Sequence, residues 1–486
     1  MNYRPPMAHR AFVPPDHGID PDADSAARTL TPEQAMVGLT ILGGLVLALL
    51  LAPLATAIGL IAAATFAYAA ALVYRLNALW LSIRRPEISR VSDEEARAVA
   101  DRDLPVYTVL VPAYHEPAVI AALIARLTEL EYPTRKLDIR LLLEEDDSET
   151  IEAALASAPG RQFTVVRIPD SQPKTKPKAC NVGLVGARGS LATIFDAEDR
   201  PDPLQLRRAV VAFGRLDDSV ACLQARLSYY NDNQNLLTRW FTIEYGMWFS
   251  NLLPGLVAQR GPLPLGGTSN HFRMDVLRAV GGWDPFNVTE DADLGIRLAR
   301  RGYKTRVLDS TTFEEANSDV INWIKQRSRW YKGYLQTWLV HMRRPRALLH
   351  ELGWRGFAGF NLFIGGTPML ALLNPVFWAM TALWFLVHPP VIVALFPAWL
   401  YYLGLGVMVL GNVAQFYSWM LSARMIGSRR LVFASILIPF YWVLMSLAAI
   451  KAAVQLISAP SFWEKTVHGL DAAAISRPQE QMPPSA

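Results

Sequence analysis

The sequence predicts an α/β domain with a mostly parallel sheet, set between two apolar helical regions. Three observations point there: apolar blocks of membrane-spanning length at both ends, a charge-rich middle, and within it short strand-like runs alternating with amphipathic stretches. Of the 486 residues, 52% are hydrophobic, which is high for a wholly water-exposed protein. The charged 19% crowd between the two ends, so the chain meets two kinds of solvent. A formal net charge of +4 argues against the basic stripe of a nucleic-acid binder. Cys180 and Cys222, the only cysteines, lie in no paired spacing, so neither a zinc site nor a disulfide framework is expected.

Residues 1–34 lack apolar periodicity and a cleavable apolar core, and are expected to form a disordered cytoplasmic tail. From Ala35 to Leu81 there is almost no charge until Arg75, room for two spans of about 20 residues each with Pro53 at the reversal, so 35–82 reads as a transmembrane hairpin. Arg84 and Arg85 follow, and short flanking loops prefer positive charge on the inner side. The water-exposed domain then spans 83–345, ending in an interfacial helix. Strands are expected at Val106–Val111, Ile139–Leu143, Thr164–Ile168, Ala192–Phe195 and Val220–Ala225, and an amphipathic helix over Val119–Leu130. Such a sheet binds its ligand beyond the strand ends. Three further apolar blocks, Phe357–Val387, Val391–Leu421 and Leu431–Ser458, make 346–458 the second membrane region and bring the span count to five. Residues 459–486, with Phe462-Trp463-Glu464-Lys465-Thr466, read as an interfacial segment and a disordered tail.

Three motifs carry chemistry. Asp196-Ala197-Glu198-Asp199 closes an apolar strand, and carboxylates one residue apart can hold a hard divalent cation such as Mg²⁺ or Mn²⁺ and bridge it to phosphate. Alone, such a triplet is equally a solvated turn. Thr289-Glu290-Asp291 stands ahead of a helix that runs to about Arg301 and stops at Gly302; Asp291 can take a proton from a hydroxyl, whereas first-turn acids also simply suit the helix dipole. Gln326, Arg329 and Trp330 share one helix face, offering an amide, a guanidinium for diphosphate and an indole platform for a sugar ring. Trp323, Trp330 and Trp338 also form a stripe suited to a membrane surface.

These motifs, with Val109 to Pro117, the acidic run Glu144 to Asp147, and Lys178 to Asn181, occur in the order seen in processive family 2 glycosyltransferases. From about Arg84 to Arg344 the chain resembles cellulose synthase, hyaluronan synthase and related bacterial polysaccharide synthases. The resemblance implies a GT-A, Rossmann-like nucleotide-sugar domain inserted between N-terminal and C-terminal transmembrane regions. It places Pro112, Tyr114 and Glu116 beside the nucleotide and a carboxylate, Glu145 or Asp147, on the base. It places Lys178 and Arg329 on the diphosphate, and Asp196 and Glu198 on a divalent cation, with Asp199 an alternative to Glu198. Asp291, with Glu290 beside it, becomes the general base, and Gln326 and Trp330 meet the acceptor. The loop with Gly266, Gly267, Thr268 and Ser269 lies in the position that borders the acceptor in that family. His115 stands where asparagine is usual.

The expected activity is inverting transfer from a nucleoside-diphosphate sugar, a UDP-sugar first, to a growing β-linked polysaccharide. A lipid acceptor with a single transfer is the second expectation, and a non-catalytic nucleotide-regulated channel or transporter the third. The expected location is the inner, cytoplasmic membrane, multi-pass, with the catalytic domain in the cytoplasm. The partners are then the donor, a polysaccharide or lipid-linked acceptor, the bilayer and, for a polymer, export proteins.

Overall fold

The computed structural model describes residue 19 and residues 24–157, 159–426, 429–460 and 462–464. Among these, one nine-stranded sheet forms the centre: β1 (Ile88–Ser89), β2 (Tyr107–Ala113), β3 (Leu137–Glu144), β4 (Phe163–Ile168), β5 (Leu191–Ile194), β6 (Arg200–Pro201), β7 (Val220–Tyr229), β8 (Asn270–Arg273) and β9 (Lys304–Glu314). Its order is β1-β9-β7-β8-β5-β2-β3-β4, with β6 on β9. Pairing is parallel except at β8, which runs against β5 and β7, and at β6. The central strands are apolar on both faces because helices cover both, as parallel sheets require. Strand order reverses between β2 and β5, and the crevice beyond their carboxyl ends is where such a sheet receives a ligand.

All five expected strands are present, shifted by one to four residues at their ends. The other four were not legible. β1 and β6 have two residues each and β8 four, too short for a period, and β9 reads Lys-Thr-Arg-Val-Leu-Asp-Ser-Thr-Thr-Phe-Glu, with no clean alternation. Pairing with β7 and burial against it override that composition.

The helices that place the site are, in chain order, α1 (Pro32–Leu51), α2 (Pro53–Arg84), α3 (Lys176–Leu184), α4 (Leu236–Gly246), α5 (Leu253–Ala258), α6 (Glu290–Arg300), α7 (Val320–His341), α8 (Pro345–Val387), α9 (Ala398–Met425) and α10 (Ile438–Ser458). Five of them, α1, α2, α8, α9 and α10, are long and apolar enough to cross a membrane. Thr31 and Gln34 cap α1 reciprocally, and Pro53 opens α2 where the hairpin turns. Gly302, at a positive φ of 82°, follows the end of α6 as expected for a helix stop.

The expected disordered tail is corrected in part. Of residues 1–34, those from Asp24 onward are packed: Ser25 Oγ and Ala26 N donate to the Asp284 carboxylate at 2.9 and 2.5 Å, and Asp24 pairs with Arg300 at 2.6 Å. A buried acid at a loop can hold a tail that lacks any apolar pattern, which hydropathy does not reveal. The earlier residues, apart from residue 19, and residues 465–486 lie outside the described structure.

The membrane hairpin is keyed to the sheet domain at Gly255 of α5, where an added Cβ would sit 2.0 Å from the backbone oxygen of Ala78 on α2. Only glycine permits that approach. Gly255→Val is therefore expected to lower the unfolding midpoint of the detergent-purified protein by about 1–3 °C, from overpacking of about 1–3 kcal/mol. An unchanged midpoint would mean that α2 and α5 do not bear on each other.

Candidate active site

The crevice at the β2/β5 reversal opens into a cavity of about 1380 Å³. Asp196, Ala197 and Glu198 follow β5 at its floor, with Pro112, Tyr114 and Glu116 from the end of β2 on one wall. Glu290 and Asp291 arrive at the start of α6, and Gln326, Arg329 and Trp330 come from α7. Gly266, Gly267 and Thr268 complete the lining. The structure thus brings fourteen residues of the sequence motifs to one hollow.

Lysine 176 ties them together. Its ammonium donates to Asp196 Oδ1 and, at 2.8 Å, to the Gly267 carbonyl. A Cβ on Gly267 would lie 3.5 Å from Asp291 Oδ2 and 3.8 Å from the Lys176 nitrogen, ordinary contact distances that put this loop beside Asp291, Lys176 and the acidic motif. Asp291 Oδ1 accepts from Ala292 N at 2.7 Å, which fixes the carboxylate at the helix start. Burial pushes the Asp291 carboxyl up, while Lys176 and Arg329 hold it down. Burial and the neighbouring Asp291 push Glu290 up to about 8.

Asp199 plays a different part from its neighbours. It is fully buried, and its Oδ2 accepts from Asp196 N at 2.7 Å and from the Thr268 hydroxyl. Burial, with Asp196 and Glu198 nearby, pushes its carboxyl well above the usual range. It braces the motif and the acceptor-side loop against each other. Asp196 and Glu198 reach the cavity, and their oxygens suit a hard divalent cation. Among the described residues no three acidic, histidine or cysteine side chains close a cage for a metal, so diphosphate oxygens would have to complete the coordination of an ion held there.

Other expected residues are placed elsewhere. Lys178 is turned inward, donating to Glu144 Oε2 at 3.3 Å and to the carbonyls of Pro169 and Ser171 at 3.1 and 2.9 Å; Lys176, two residues earlier, takes the cleft position. Asp147 caps the next helix through Thr150 N and accepts from His115 N at 2.6 Å, so it is spent on the backbone. Glu144, not Glu145, reaches the cavity wall. His115 has a φ of 55°, a conformation asparagine tolerates well, which accounts for the usual residue there. Ser269 donates to Thr312 at 2.6 Å inside the sheet and faces away from the cavity. His271 is buried against Tyr107 and Gln205, and burial holds its imidazole down to about 3: a structural, neutral group.

Sequence reasoning missed Lys176, Glu314 and Trp463. Glu314, at the end of β9, lines the cavity and is pushed up by burial and by the nearby acidic motif. Trp463 lies over the Arg329 guanidinium, 4.7 Å from its carbon to the ring centre. The alternation of lysines at 174, 176 and 178 held the first signal, but spacing alone does not say which faces the cleft.

A family model described as "Glycosyl transferase family group 2" matches residues 192–464. The chain is 26% identical over 413 residues to a beta-monoglucosyldiacylglycerol synthase of Synechocystis sp., covering 80% of this chain and 81% of that one. It is also 26% identical over 249 residues to a probable glucomannan 4-beta-mannosyltransferase of Arabidopsis thaliana, covering 49% of this chain and 45% of that one. Other curated relatives are matched over 41% to 64% of their length. Among solved structures, a mannosyltransferase from Pyrobaculum calidifontis, in complex with GDP-Man and Mn²⁺, superposes with a TM-score of 0.52 at 18% identity. That match covers 82% of this chain and 99% of that one, a likeness of fold.

The charges around Asp291 fix a pH response. Taken as the candidate base, Asp291 with its raised carboxyl loses activity as pH falls through that value, so the acid limb of kcat/KM should lie above the ordinary carboxylate value of about 4. Lys176→Gln removes a charge that holds the carboxyl down and should move the limb to higher pH. A limb that stays in place or moves down would show that Lys176 does not act on this base.

Proposed function

The chain belongs to glycosyl transferase family group 2, and from that premise we propose that it is a membrane-embedded, inverting transferase that moves a sugar from a nucleoside-diphosphate donor to a lipid-borne acceptor. One observation carries the acceptor: the cavity that holds Asp291 continues between the apolar helices, lined there by Leu72, Leu370, Phe377, Met380, Leu405 and Met408. Such walls suit hydrocarbon better than a hydrated chain of sugars. The Synechocystis relative, whose name describes a glycolipid product, is matched over most of its length. The domain with the charged cleft is read as cytoplasmic, at the inner membrane, with a UDP-sugar as the first donor to test.

In this reading the acceptor hydroxyl gives its proton to Asp291 as its oxygen bonds the anomeric carbon from the face opposite the diphosphate. The bond from that carbon to the diphosphate oxygen breaks with its electron pair, and one displacement inverts the centre. Lys176 and Arg329 face the charge that develops, from fixed positions in a partly buried cleft where such charges act more strongly than in water. A divalent cation on Asp196 and Glu198 would supply further stabilisation of the leaving diphosphate.

Extension of a polysaccharide is the second reading. Trp330 favours it, with Tyr245 stacked beside it at 6.3 Å and 29°, an aromatic wall by the acidic centre of the kind a sugar chain can slide along. The non-catalytic channel is set aside, since the family and the relatives are transferases.

Membranes incubated with labelled UDP- or GDP-sugars and Mn²⁺ or Mg²⁺ should give a product extractable into organic solvent. Asp291→Asn should reduce its rate at least about 100-fold, the usual scale of a positioned base. Chelation should abolish transfer, and either ion should restore it. Label confined to water-soluble polymer would select the second reading, and an undiminished variant would remove Asp291 as the base.

A further inference from the structure

We propose that Arg75 of α2 is the binding site for a phosphate on the headgroup of the lipid acceptor; this rests on the lipid-acceptor reading and names the class of headgroup. Arg75 sits nine residues before the end of α2, about 14 Å along the helix from Arg84, at the cytoplasmic end of the apolar run. It lines the same cavity as Asp291.

A cation in such a place requires compensation. Among the described residues, Arg75 makes one hydrogen bond, from Nη2 to Thr367 Oγ1 at 3.0 Å, its Nε has no partner, and no carboxylate lies within ion-pair distance. The nearby Glu244 acts on it electrostatically but makes no ion pair with it. Its oxygens accept from Arg327 Nη1 at 3.0 Å, from Arg327 Nη2 and from Tyr441 at 2.5 Å, so its direct bonds go to Arg327 and Tyr441. Arg327 thus has a carboxylate in contact, whereas the direct partners of Arg75 are a hydroxyl and, at 5.8 Å, the ring of Phe363. A planar donor fork with open positions, facing a cavity, matches phosphate oxygens.

The order along the cavity completes the assignment. Tyr334 of α7 lines the same cavity and interacts electrostatically with both Asp291 and Arg75. Beyond Arg75 the lining becomes hydrocarbon-like, with Leu72 and Leu370. A lipid lying with its tail among α2, α8 and α9 and its phosphate at Arg75 would extend whatever follows the phosphate toward Asp291. The acceptor is then a lipid with a phosphate inside and a hydroxyl outside it, a glycosylated polyprenyl phosphate or a phosphatidylglycerol-type lipid. The hydroxyl proton passes to Asp291, the new bond forms at the anomeric carbon, and the nucleoside diphosphate departs with the electron pair of the broken bond.

The test uses the full chain in maltoside micelles, with short-chain versions of three ligands: a polyprenyl diphosphate sugar, phosphatidylglycerol and an uncharged glucosyl diacylglycerol. Wild type should bind at least one phosphate-bearing ligand about tenfold or more tightly than the uncharged one, the scale of a charge-assisted pair. Arg75→Gln should erase the preference and Arg75→Lys restore part of it, with UDP titration reporting that the variants are folded. Which of the two anionic ligands accepts labelled sugar separates an acceptor from a bound membrane lipid. Equal binding of charged and uncharged ligands by wild type, or an intact preference in Arg75→Gln, would overturn the site. Release of sugar from the donor by wild type is read alongside, and its absence would count against the transferase reading and not against Arg75.

Discussion

The bond from the Lys176 ammonium to Asp196, shared with the Gly267 carbonyl, is the contact on which the arrangement of the cleft depends. Six carboxyl groups line or brace this centre: Asp196, Glu198, Asp199, Glu290, Asp291 and Glu314. Burial raises four of them, and Lys176 and Arg329, with Arg126 beside Glu198 and Asp199, bring positive charge among them. Without a cation between the strand-end motif and the acids at the start of α6, like charges would push the two apart. The same cation can face diphosphate when donor enters, so one side chain serves both cohesion and chemistry.

Helix α7 then carries that centre's geometry toward the membrane. Gly333 lets it approach Thr289 so closely that a Cβ would lie 2.3 Å from the threonine hydroxyl. Thr337 accepts from Asn287 at 2.9 Å, and Gln336 accepts from Val288 N at 3.3 Å. At the far end Arg300 donates to His341 Nδ1, so Nε2 must carry the proton given to Asp293 at 3.0 Å, and Arg297 closes the other side of that carboxylate at 2.7 Å. The segment that delivers Glu290 and Asp291 is therefore held along a little over two turns of α7, and a shift of one helix moves both acids with it.

Much of this was legible, and the divisions are physical. Strands with a run of β-branched and leucine residues, such as β2 and β3, announce themselves because both faces are buried. β9 does not, since its threonines and arginines read as loop until β7 lies beside them. The acidic motifs were legible as motifs, because carboxylates at strand and helix ends have few purely structural uses in that combination. Which lysine faces the cleft was not: Lys176 and Lys178 differ by about 200° around α3, and only the position of Glu144 and of the Pro169 carbonyl decides that Lys178 turns inward. Asp147 was likewise indistinguishable from a base-binding acid until its carboxylate was seen to cap a helix and hold His115 in place.

The segment after α10 shows why long-range contacts escape a linear reading. The Lys332 ammonium, fully buried on α7, donates to the Phe462 carbonyl at 2.6 Å and to the Ala459 carbonyl at 3.3 Å, and Gln336 donates to the Pro460 carbonyl at 2.9 Å. Glu464 meets Lys451 and Gln455 at 2.7 and 3.0 Å. These bonds hold the described part of the stretch against α7 and α10, and the Trp463 ring covers Arg329. A guanidinium with an indole on one face and Glu290 and Asp291 within its field is shielded from water on the side away from the acids. Shielding strengthens its attraction to a diphosphate as much as to those acids, so the last membrane helix bears on the donor site through a single ring.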